Sequence, residues 1–298
     1  MGCFDRIVVV DDASDLPLGD LPGDVTLLRQ DMQQGAGAAR NRALDAVITS
    51  HLLFFDSDDL LTAEFPILWR SLQGKSFDFC MFRHADSRVG RDGRYGQLWV
   101  DDMLWQQAGA QAQALAPLAA AGRAVLAQVA NYPWNKIYRT GFLRAHDIRC
   151  SHSPVHNDIV LHWRSFLHGR AILTSDRVAA RHHVTAGGAR LTNRRGAERM
   201  VIFDVLAEVA EALDRERKQA LTPQIEGLQA TFWRFVSGLW GWVRGQVPPE
   251  MQAMFDDRAR DFLLTYLTRP VFARLAQSDP VAARQLLWQM TPVERSAA

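Results

Sequence analysis

The chain has 298 residues, 48% of them hydrophobic, which is enough for a sizeable core in one large domain or in a catalytic domain with an extension. Its 34 Lys and Arg balance 33 Asp and Glu, and the formal net charge of +1 argues against nucleic acid as a partner. The three cysteines lack the close spacing of a zinc site and are too few for a disulfide framework.

This cysteine usage predicts a protein of the reducing cytoplasm. The sequence carries neither a signal-peptide pattern at its start nor an uncharged apolar run near the ~18 residues that span a bilayer. We therefore expect neither a membrane span nor export, and a location in the cytoplasm that could include the inner face of the membrane.

Strands and helices alternate in the first part of the sequence. Short apolar runs predict buried strands at Arg6 to Val10 and Leu52 to Phe55, and helical spacing follows each of them, at Ala36 to Thr49 and Thr62 to Leu72. This order predicts an α/β fold with a mostly parallel sheet flanked by helices.

The elements predicted next are less regular. Strands are expected at Phe77 to Phe82 and Ala171 to Thr174, a hairpin or loop at Arg88 to Gly96, mostly helix within Val100 to Val129, and a helix at Asp158 to Leu167. We place a domain boundary near residue 198, so that residues 1–198 form the catalytic α/β domain.

Residues 199–298 are predicted to form a helical C-terminal region, with breaks near Pro223, Pro248-Pro249, Pro270 and Pro280. The aromatic stretch from Phe232 to Trp242 is expected to pack between helices. It could instead lie at a membrane interface, as in peripheral membrane association, or accept the face of a sugar.

Acidic residues follow both of the first predicted parallel strands. Asp11-Asp12 follows one strand, and Asp56, Asp58 and Asp59 follow the other, so the carboxylates should meet at the edge where open α/β sheets bind ligands. Crowded carboxylates call for a divalent cation, Mg²⁺ or Mn²⁺, and such a cation usually completes its shell with substrate phosphate. The alternative is that these acids only cap the helices that follow.

Two protein classes with paired acids fit less well. Receiver domains match the spacing of Asp11 and Asp56, but the Met-Pro that usually follows the receiver's acceptor is absent and the chain is too long for one receiver. Haloacid-dehalogenase-like phosphatases have Asp-x-Asp-x-Thr or -Val after their first strand, whereas here Leu60 takes the fifth position on a later strand.

Four segments, in order along the chain, resemble motifs of bacterial family 2 glycosyltransferases. Ile7 to Ser14 resembles their Val-Val-Asp-Asp-Gly-Ser signature, Gly35 to Asn41 their Gly-x-x-x-Ala-Arg-Asn segment, Leu53 to Asp59 their Asp-x-Asp metal motif, and Trp134 to Tyr138 their Trp-Asn-Lys-Leu-Tyr segment. Asn157-Asp158 aligns with the family's Glu-Asp pair, with Asn157 in place of the first acid. The resemblance fades past about residue 195.

The resemblance implies a GT-A-like fold and an inverting transferase that takes a sugar from a nucleotide diphosphate donor, with Mn²⁺ or Mg²⁺ as cofactor. The implied acceptor is the hydroxyl of a glycan or a lipid-linked molecule, as in polysaccharide biosynthesis. The implied roles are nucleobase and ribose contacts for Asp11 and Asp12, base or diphosphate contact for Arg40, metal binding for Asp58 with help from Asp56, ribose contact for Asp56, and the catalytic base for Asp158.

Each assignment has a structural alternative. Arg40 could lie on a solvated helix face, and Asp158 could cap the helix that follows it. Trp134, whose ring suits the C–H face of a sugar in the acceptor pocket, could be core packing instead. The basic segment Arg181 to Arg195 could close over the diphosphate or be a plain surface loop, and His182 or His183 could complete the metal shell.

One expected element is missing from the sequence. Family members begin with a strand and a helix before the Val-Val-Asp-Asp strand, and nothing in Met1 to Asp5 matches them. We expect about 25 to 45 further residues to be encoded upstream, or another segment to cover the gap, because an open edge in mid-sheet is costly. Otherwise the chain would be a binding-defective, non-enzymatic remnant.

Overall fold

The computed structural model describes residues 2–16, 18–19, 21–91, 94–111, 114–184 and 196–291. The chain divides into two compact units, Met1–Gly188 and Ala189–Ala298. The division falls between residues 188 and 189, compared with the predicted boundary near 198.

The strands of the described residues all lie in the first unit. They are β1 (Ile7–Asp11), β2 (Val25–Arg29), β3 (His51–Leu53), β4 (Leu60–Leu61), β5 (Phe79–Arg91), β6 (Arg94–Gly96), β7 (Ala116–Pro117), β8 (Lys136–Arg139) and β9 (Ile172–His182). The helices of this unit are α1 (Ala36–Ala46), α2 (Glu64–Leu72), α3 (Trp99–Gln107), α4 (Ala120–Leu126), α5 (Thr140–Ala145) and α6 (Asp158–His168).

The larger sheet is mixed rather than mostly parallel. Its path is β3-β8-β5-β9-β4, with β6 paired to β5 and β7 paired to β9, and of these pairings only β5 with β9 is parallel. The α/β class is confirmed, but the predicted direction of most pairings is wrong. Periodicity in the sequence marks a strand without specifying its partner, so the antiparallel insertion of β8 between β3 and β5 could not be seen there.

The two strands nearest the start of the chain form a separate sheet. β1 and β2 pair in parallel, with Ile7 opposite Val25 and Asp11 opposite Arg29. Helix α1 packs against β1. The predicted β1 strand is therefore present, and its acidic end lies beside the start of α1.

The stretch predicted as mostly helical, Val100 to Val129, is divided by β7 into α3 and α4. The short β7 segment is extended because its backbone pairs with β9, with Ala116 opposite Thr174. A pairing between residues so far apart in the chain overrides the local helical preference.

The core of the first unit lies between α2 and the larger sheet. Its buried members come from α2, β5, β8, β9 and the segment before β8: Phe65, Leu68, Leu72, Phe77, Cys80, Phe82, Trp134, Ile137, Leu173, Ala179 and Ala180. Just before α2, the Thr62 hydroxyl accepts a hydrogen bond from the Glu64 backbone at 3.1 Å.

The second unit is helical, as predicted. It contains α7 (Ile202–Gln219), α8 (Pro223–Arg244), α9 (Gln252–Tyr266), α10 (Arg269–Ser278) and α11 (Pro280–Met290), with short 3-10 helices at Ala197–Val201 and Pro249–Met251. Prolines stand at the first turns of α8, α10 and α11, where a missing backbone N–H costs nothing. The predicted breaks are therefore helix starts.

The aromatic stretch in α8 mostly packs within this unit. Phe232, Trp233 and Trp240 are buried, and Trp240 lies 5.6 Å from Phe262 between ring centroids. Trp242 is 46% exposed. Among the described residues, no helix combines the length and apolar character needed to cross a membrane.

Candidate active site

The acids after β1 organise the chain that leads to α1. The Asp12 carboxylate accepts hydrogen bonds from the backbone N–H groups of Gln34, at 2.8 Å, and Gly35, at 2.7 Å, and also from the Gln30 side chain. Gly35 has φ +91°, a conformation that favours glycine. Asp12 therefore holds the turn that begins α1.

Asp11 is enclosed, with its side chain 1% exposed. One carboxylate oxygen accepts from the Ser14 backbone at 2.9 Å, and the other pairs with Arg29. The hydrogen bonding of Ser14 and the charge of Arg29 hold the pKa of Asp11 below its ordinary value. Both oxygens already have partners, and the role of Asp11 and Asp12 in donor binding stays a prediction.

Arg40 of α1 joins the metal motif to the segment that precedes α6. Its guanidinium donates to Asp56 Oδ1 at 2.6 Å and to Asn157 Oδ1 at 2.8 Å, and its side chain is only 15% exposed. Burial disfavours the cation, but the Asp56 carboxylate outweighs it and raises the pKa of Arg40. Arg40 is thus a largely enclosed bridge and not a solvated surface residue.

Two further residues of α1 hold the segment before α6 in place. The Asn41 side chain donates to Cys150 O at 2.8 Å and accepts from Cys150 N at 2.9 Å. Gly37 lies so close to this segment that a Cβ there would overlap the Ser151 carbonyl oxygen. The spacing of Gly37, Arg40 and Asn41 therefore builds one face of α1 that fixes the approach to Asp158.

Gly37→Ala should destabilise the protein by about 1–3 kcal/mol, because the added methyl group would also lie 2.8 Å from Asn157 Cβ, where the backbone leaves no room. The midpoint and slope of urea unfolding would measure the effect. Gly141→Ala in α5 is the matched control, since its Cβ would meet only the end of the Arg139 side chain at 3.4 Å. Equal midpoints for the two variants would contradict the close contact.

Asp158 is the first residue of α6 and is partly buried. Burial raises the pKa of Asp158, while the charges of Arg40 and Lys136 oppose that rise. The residue before the Asn157-Asp158 pair, His156, has φ +62°, a strained conformation that the surrounding contacts must hold. Asp158 therefore stands at a helix start in a constrained segment, next to the Arg40 bridge.

The loop after β3 holds the other acids. Asp58 is exposed, and Asp59 is buried, where it accepts from His182 Nδ1 at 2.8 Å and from the His183 backbone at 3.1 Å. The second Asp59 oxygen has no hydrogen-bond partner among the described residues. Asp59 thus ties this loop to the end of β9 and does not cap α2.

The carboxylates of Asp56 and Asp58 are suited to a hard divalent cation. In the part of the chain that the structure describes, no group of three or more Asp, Glu, His or Cys side chains forms a complete cage. Mg²⁺ is commonly bound by one or two carboxylates together with substrate phosphate, and this residue set fits that mode. Residues 185–195 of the predicted basic loop lie outside the described residues.

Trp134 belongs to the core of the first unit and is not exposed at the surface. It is 1% exposed and stacks on Tyr132, with ring centroids 4.6 Å apart, and on His182 at 5.2 Å. The His84 ring is perpendicular to the Trp134 ring, with ring centroids 4.9 Å apart. In this arrangement Trp134 supports the end of β9, and a direct sugar contact stays a prediction.

Sequence reasoning assigned no role to Lys136, which the structure buries completely. Its ammonium donates to Tyr132 O at 2.6 Å and Asn135 Oδ1 at 2.7 Å. Burial lowers the pKa of Lys136 to about 7, against the charges of Asp158 and Asp101. The Trp-Asn-Lys segment was the signal for this residue, but only the fold puts its charge near Asp158.

Comparisons with known proteins agree with this geometry. Residues 2–117 match the model of Glycosyl transferase family 2. Among solved structures, S. aureus TarS 1-349 in complex with UDP-GlcNAc is similar to the chain, with a TM-score of 0.71 at 17% identity over 96% of this chain and 79% of that one. The complex of the same protein with UDP has a TM-score of 0.68 at 17% identity, covering 96% and 78%.

A further crystal structure of S. aureus TarS has a TM-score of 0.64 at 17% identity. The match covers 96% of this chain and 48% of that one. At this identity these likenesses establish the fold. The comparison with curated proteins finds no match. The chain therefore has a GT-A-like fold, its residues 2–117 match a glycosyl transferase family 2 domain, and these findings together support a glycosyltransferase.

Proposed function

We propose that the chain transfers a sugar, with inversion, from a nucleotide diphosphate donor to an acceptor hydroxyl, with Asp158 as the catalytic base. The observation that carries this proposal is the Arg40 bridge, which joins Asp56 of the metal motif to Asn157, the neighbour of Asp158. A donor at one end of the bridge and a base at the other are what a direct displacement requires.

In the proposed step, Asp158 accepts the proton of the acceptor hydroxyl while the hydroxyl oxygen forms a bond to the anomeric carbon. The bond from that carbon to the diphosphate oxygen breaks, and the nucleoside diphosphate leaves with the electron pair. Attack from the face opposite the leaving group inverts the anomeric centre. General-base assistance of this kind contributes about 10²–10⁴-fold to the rate.

Asp58, with Asp56, would hold the divalent cation in this proposal. A bound Mn²⁺ or Mg²⁺ supplies charge neutralisation for the departing diphosphate. Asp56 is half-buried and accepts from Arg40 through Oδ1, and Asp58, two residues further along the same loop, is exposed. Arg40 keeps Asp56 in one orientation, because a guanidinium that bonds two side chains restricts both.

The proposed donor is a uridine diphosphate sugar, because the structurally similar S. aureus TarS was crystallised with UDP and with UDP-GlcNAc. The proposed acceptor is a glycan or a lipid-linked molecule. The free thiols of Cys3, Cys80 and Cys150 support a reducing compartment, and we place the reaction in the cytoplasm.

A thermal-shift panel of nucleotide sugars, with and without Mn²⁺, tests the proposed donor class. We expect UDP-GlcNAc or another uridine donor to raise Tm only when metal is present, because a ligand that binds the folded state stabilises it by mass action. Stabilisation without any transfer to a panel of acceptors would favour the nucleotide-sugar-binding remnant. No stabilisation by any donor would contradict the proposal.

The pH dependence of transfer should report the ionisation of Asp158, the proposed base. Because burial raises the pKa of Asp158 and only the ionised form accepts a proton, kcat/KM should fall as the pH drops through a value above the ordinary 3.8. Arg40→Met should move this acidic limb to higher pH, since the Arg40 charge favours the anion. The pH profiles of kcat/KM for the two proteins measure the shift, and coincident limbs would contradict it.

A further inference from the structure

The sheet face that carries Lys136 is covered by helix α6. Lys136 and Tyr138 alternate with Ile137 along β8, so the first two side chains share one face of the sheet. Tyr138 lies opposite Phe79 of β5, and the rings of Phe79 and Phe166 of α6 have centroids 5.2 Å apart. Ile137 lies on the other face, in the core with α2. The side chain of Lys136 therefore extends into the layer between the sheet and α6.

Helix α6 carries Asp158 on the side that contacts this sheet face. Asp158, His162 and Phe166 stand four residues apart, and such positions lie on one side of a helix. The rings of His162 and Phe166 have centroids 5.0 Å apart. The charge of Lys136 acts on both His162 and Asp158, so the ammonium lies along this side of α6, towards its first turn.

The hydrogen bonds of the Lys136 ammonium fix its position without neutralising its charge. Its two partners, the Tyr132 carbonyl at 2.6 Å and the Asn135 side-chain oxygen at 2.7 Å, are uncharged. Burial lowers the pKa of Lys136 to about 7, so the side chain is a cation in acidic solution. A buried cation is costly, and an apolar side chain of similar length would fill the same space without that cost. The lysine therefore calls for a role that uses its charge.

Two carboxylates act on this cation. They belong to Asp101 of α3 and Asp158 of α6, and burial raises the pKa of Asp101 to about 6. Two histidines also face Lys136, but both are neutral, because burial lowers the pKa of His84 to about 3 and that of His162 well below its ordinary value. The charge of Lys136 is thus directed at carboxylates, one of which is the proposed base.

The groups that face Asp158 include a second cation. Arg40 and Lys136 favour the Asp158 anion, and the Asp56 carboxylate opposes it. Two further groups face the carboxyl and stay neutral, because burial raises the pKa of each: Tyr138 and Cys150. Arg40 belongs to the metal-motif bridge, whereas Lys136 comes from the opposite part of the fold, the sheet under α6.

We propose that Lys136 is a positioning residue for the base: its ammonium, held between the sheet and α6, keeps the Asp158 carboxylate ionised. The proposal rests on the proposed function, in which Asp158 accepts the proton of the acceptor hydroxyl. Lys136 itself acts through Asp158 and touches neither sugar nor diphosphate.

Lys136→Met should move the acidic limb of kcat/KM to higher pH, because loss of the cation favours the protonated carboxyl. At the pH where the unmodified chain has half its plateau value, the variant should have at most about one quarter of its own plateau. Arg123→Met is the matched control, since Arg123 is another buried cation of the first unit and its charge acts on Asp78. Both Arg123→Met and Asp101→Asn should keep the limb of the unmodified chain.

Carbon-13 NMR of the aspartate carboxyl groups measures the ionisation of Asp158 without any sugar transfer. The signal is assigned by its absence from Asp158→Asn, and it should titrate at higher pH in Lys136→Met than in the unmodified chain or in Arg123→Met. Coincident titrations would overturn the proposal even if the chain transfers sugar. The expected shift in a chain that transfers no sugar would support the effect of Lys136 on Asp158 and contradict the proposed function instead.

Lys136→Gln replaces Lys136→Met if urea unfolding shows that the Met variant is not folded, since the Gln amide is neutral and can still donate to the Tyr132 carbonyl. The same upward shift is expected, and an unshifted titration of Asp158 in the folded Gln variant would overturn the proposal.

Discussion

Asp158→Asn should retain donor binding and lose sugar transfer by on the order of 10²-fold or more, because the amide cannot accept the proton of the acceptor hydroxyl. The substitution preserves the shape of the side chain at the start of α6, so the fold should be unaffected. Steady-state rates of transfer from a UDP-sugar, together with the Kd for UDP in the presence of Mn²⁺, measure the two properties separately.

Asp147→Asn is the control for this variant, since Asp147 is exposed and pairs only at the surface with Arg149. It should leave both the rate and the Kd unchanged. Near-normal turnover by Asp158→Asn would reject Asp158 as the base. Loss of donor binding along with turnover would instead assign Asp158 to the architecture around Arg40.

Asp58→Asn should weaken the binding of UDP in the presence of Mn²⁺ by at least about 10-fold and leave metal-free binding unchanged. The exposed Asp58 carboxylate is proposed as the direct ligand of the cation, and the neutral amide is a poorer partner for a divalent ion. Calorimetric titration of the protein with UDP, with and without Mn²⁺, measures the difference.

Asp31→Asn supplies the comparison for Asp58→Asn, because Asp31 is also exposed and precedes α1. Its titration should match that of the unmodified chain. Equal affinities of all three proteins in Mn²⁺ would remove Asp58 from the metal site and return it to a local role in the loop after β3.

Several motif residues could be singled out from the sequence but not placed. Asp12, Gly35 and Arg40 were recognisable by their order in two motifs, and the fold connects them: Asp12 holds the turn at Gly35, from which α1 carries Arg40 to Asp56. The role of Asn157 as the second partner of Arg40 could not be predicted, because 117 positions separate the two residues.

The burial of a side chain also could not be predicted from the sequence. Aromatic character suggested a sugar contact for Trp134, whereas packing against Tyr132 and His182 encloses its ring. A side chain's exposure depends on what other segments pack against it, and periodicity within one segment does not report that.

By itself, the sequence determined the α/β class, the helical second unit and the order of the family motifs, since these depend on local patterns of apolar, acidic and helix-starting residues. Only the tertiary structure decided the mixed pairing of the larger sheet, the separation of β1 and β2 from it, and the Arg40 bridge. Each of these joins segments distant in the chain, and their contacts are selected by packing and hydrogen bonding across the whole unit rather than by neighbouring residues.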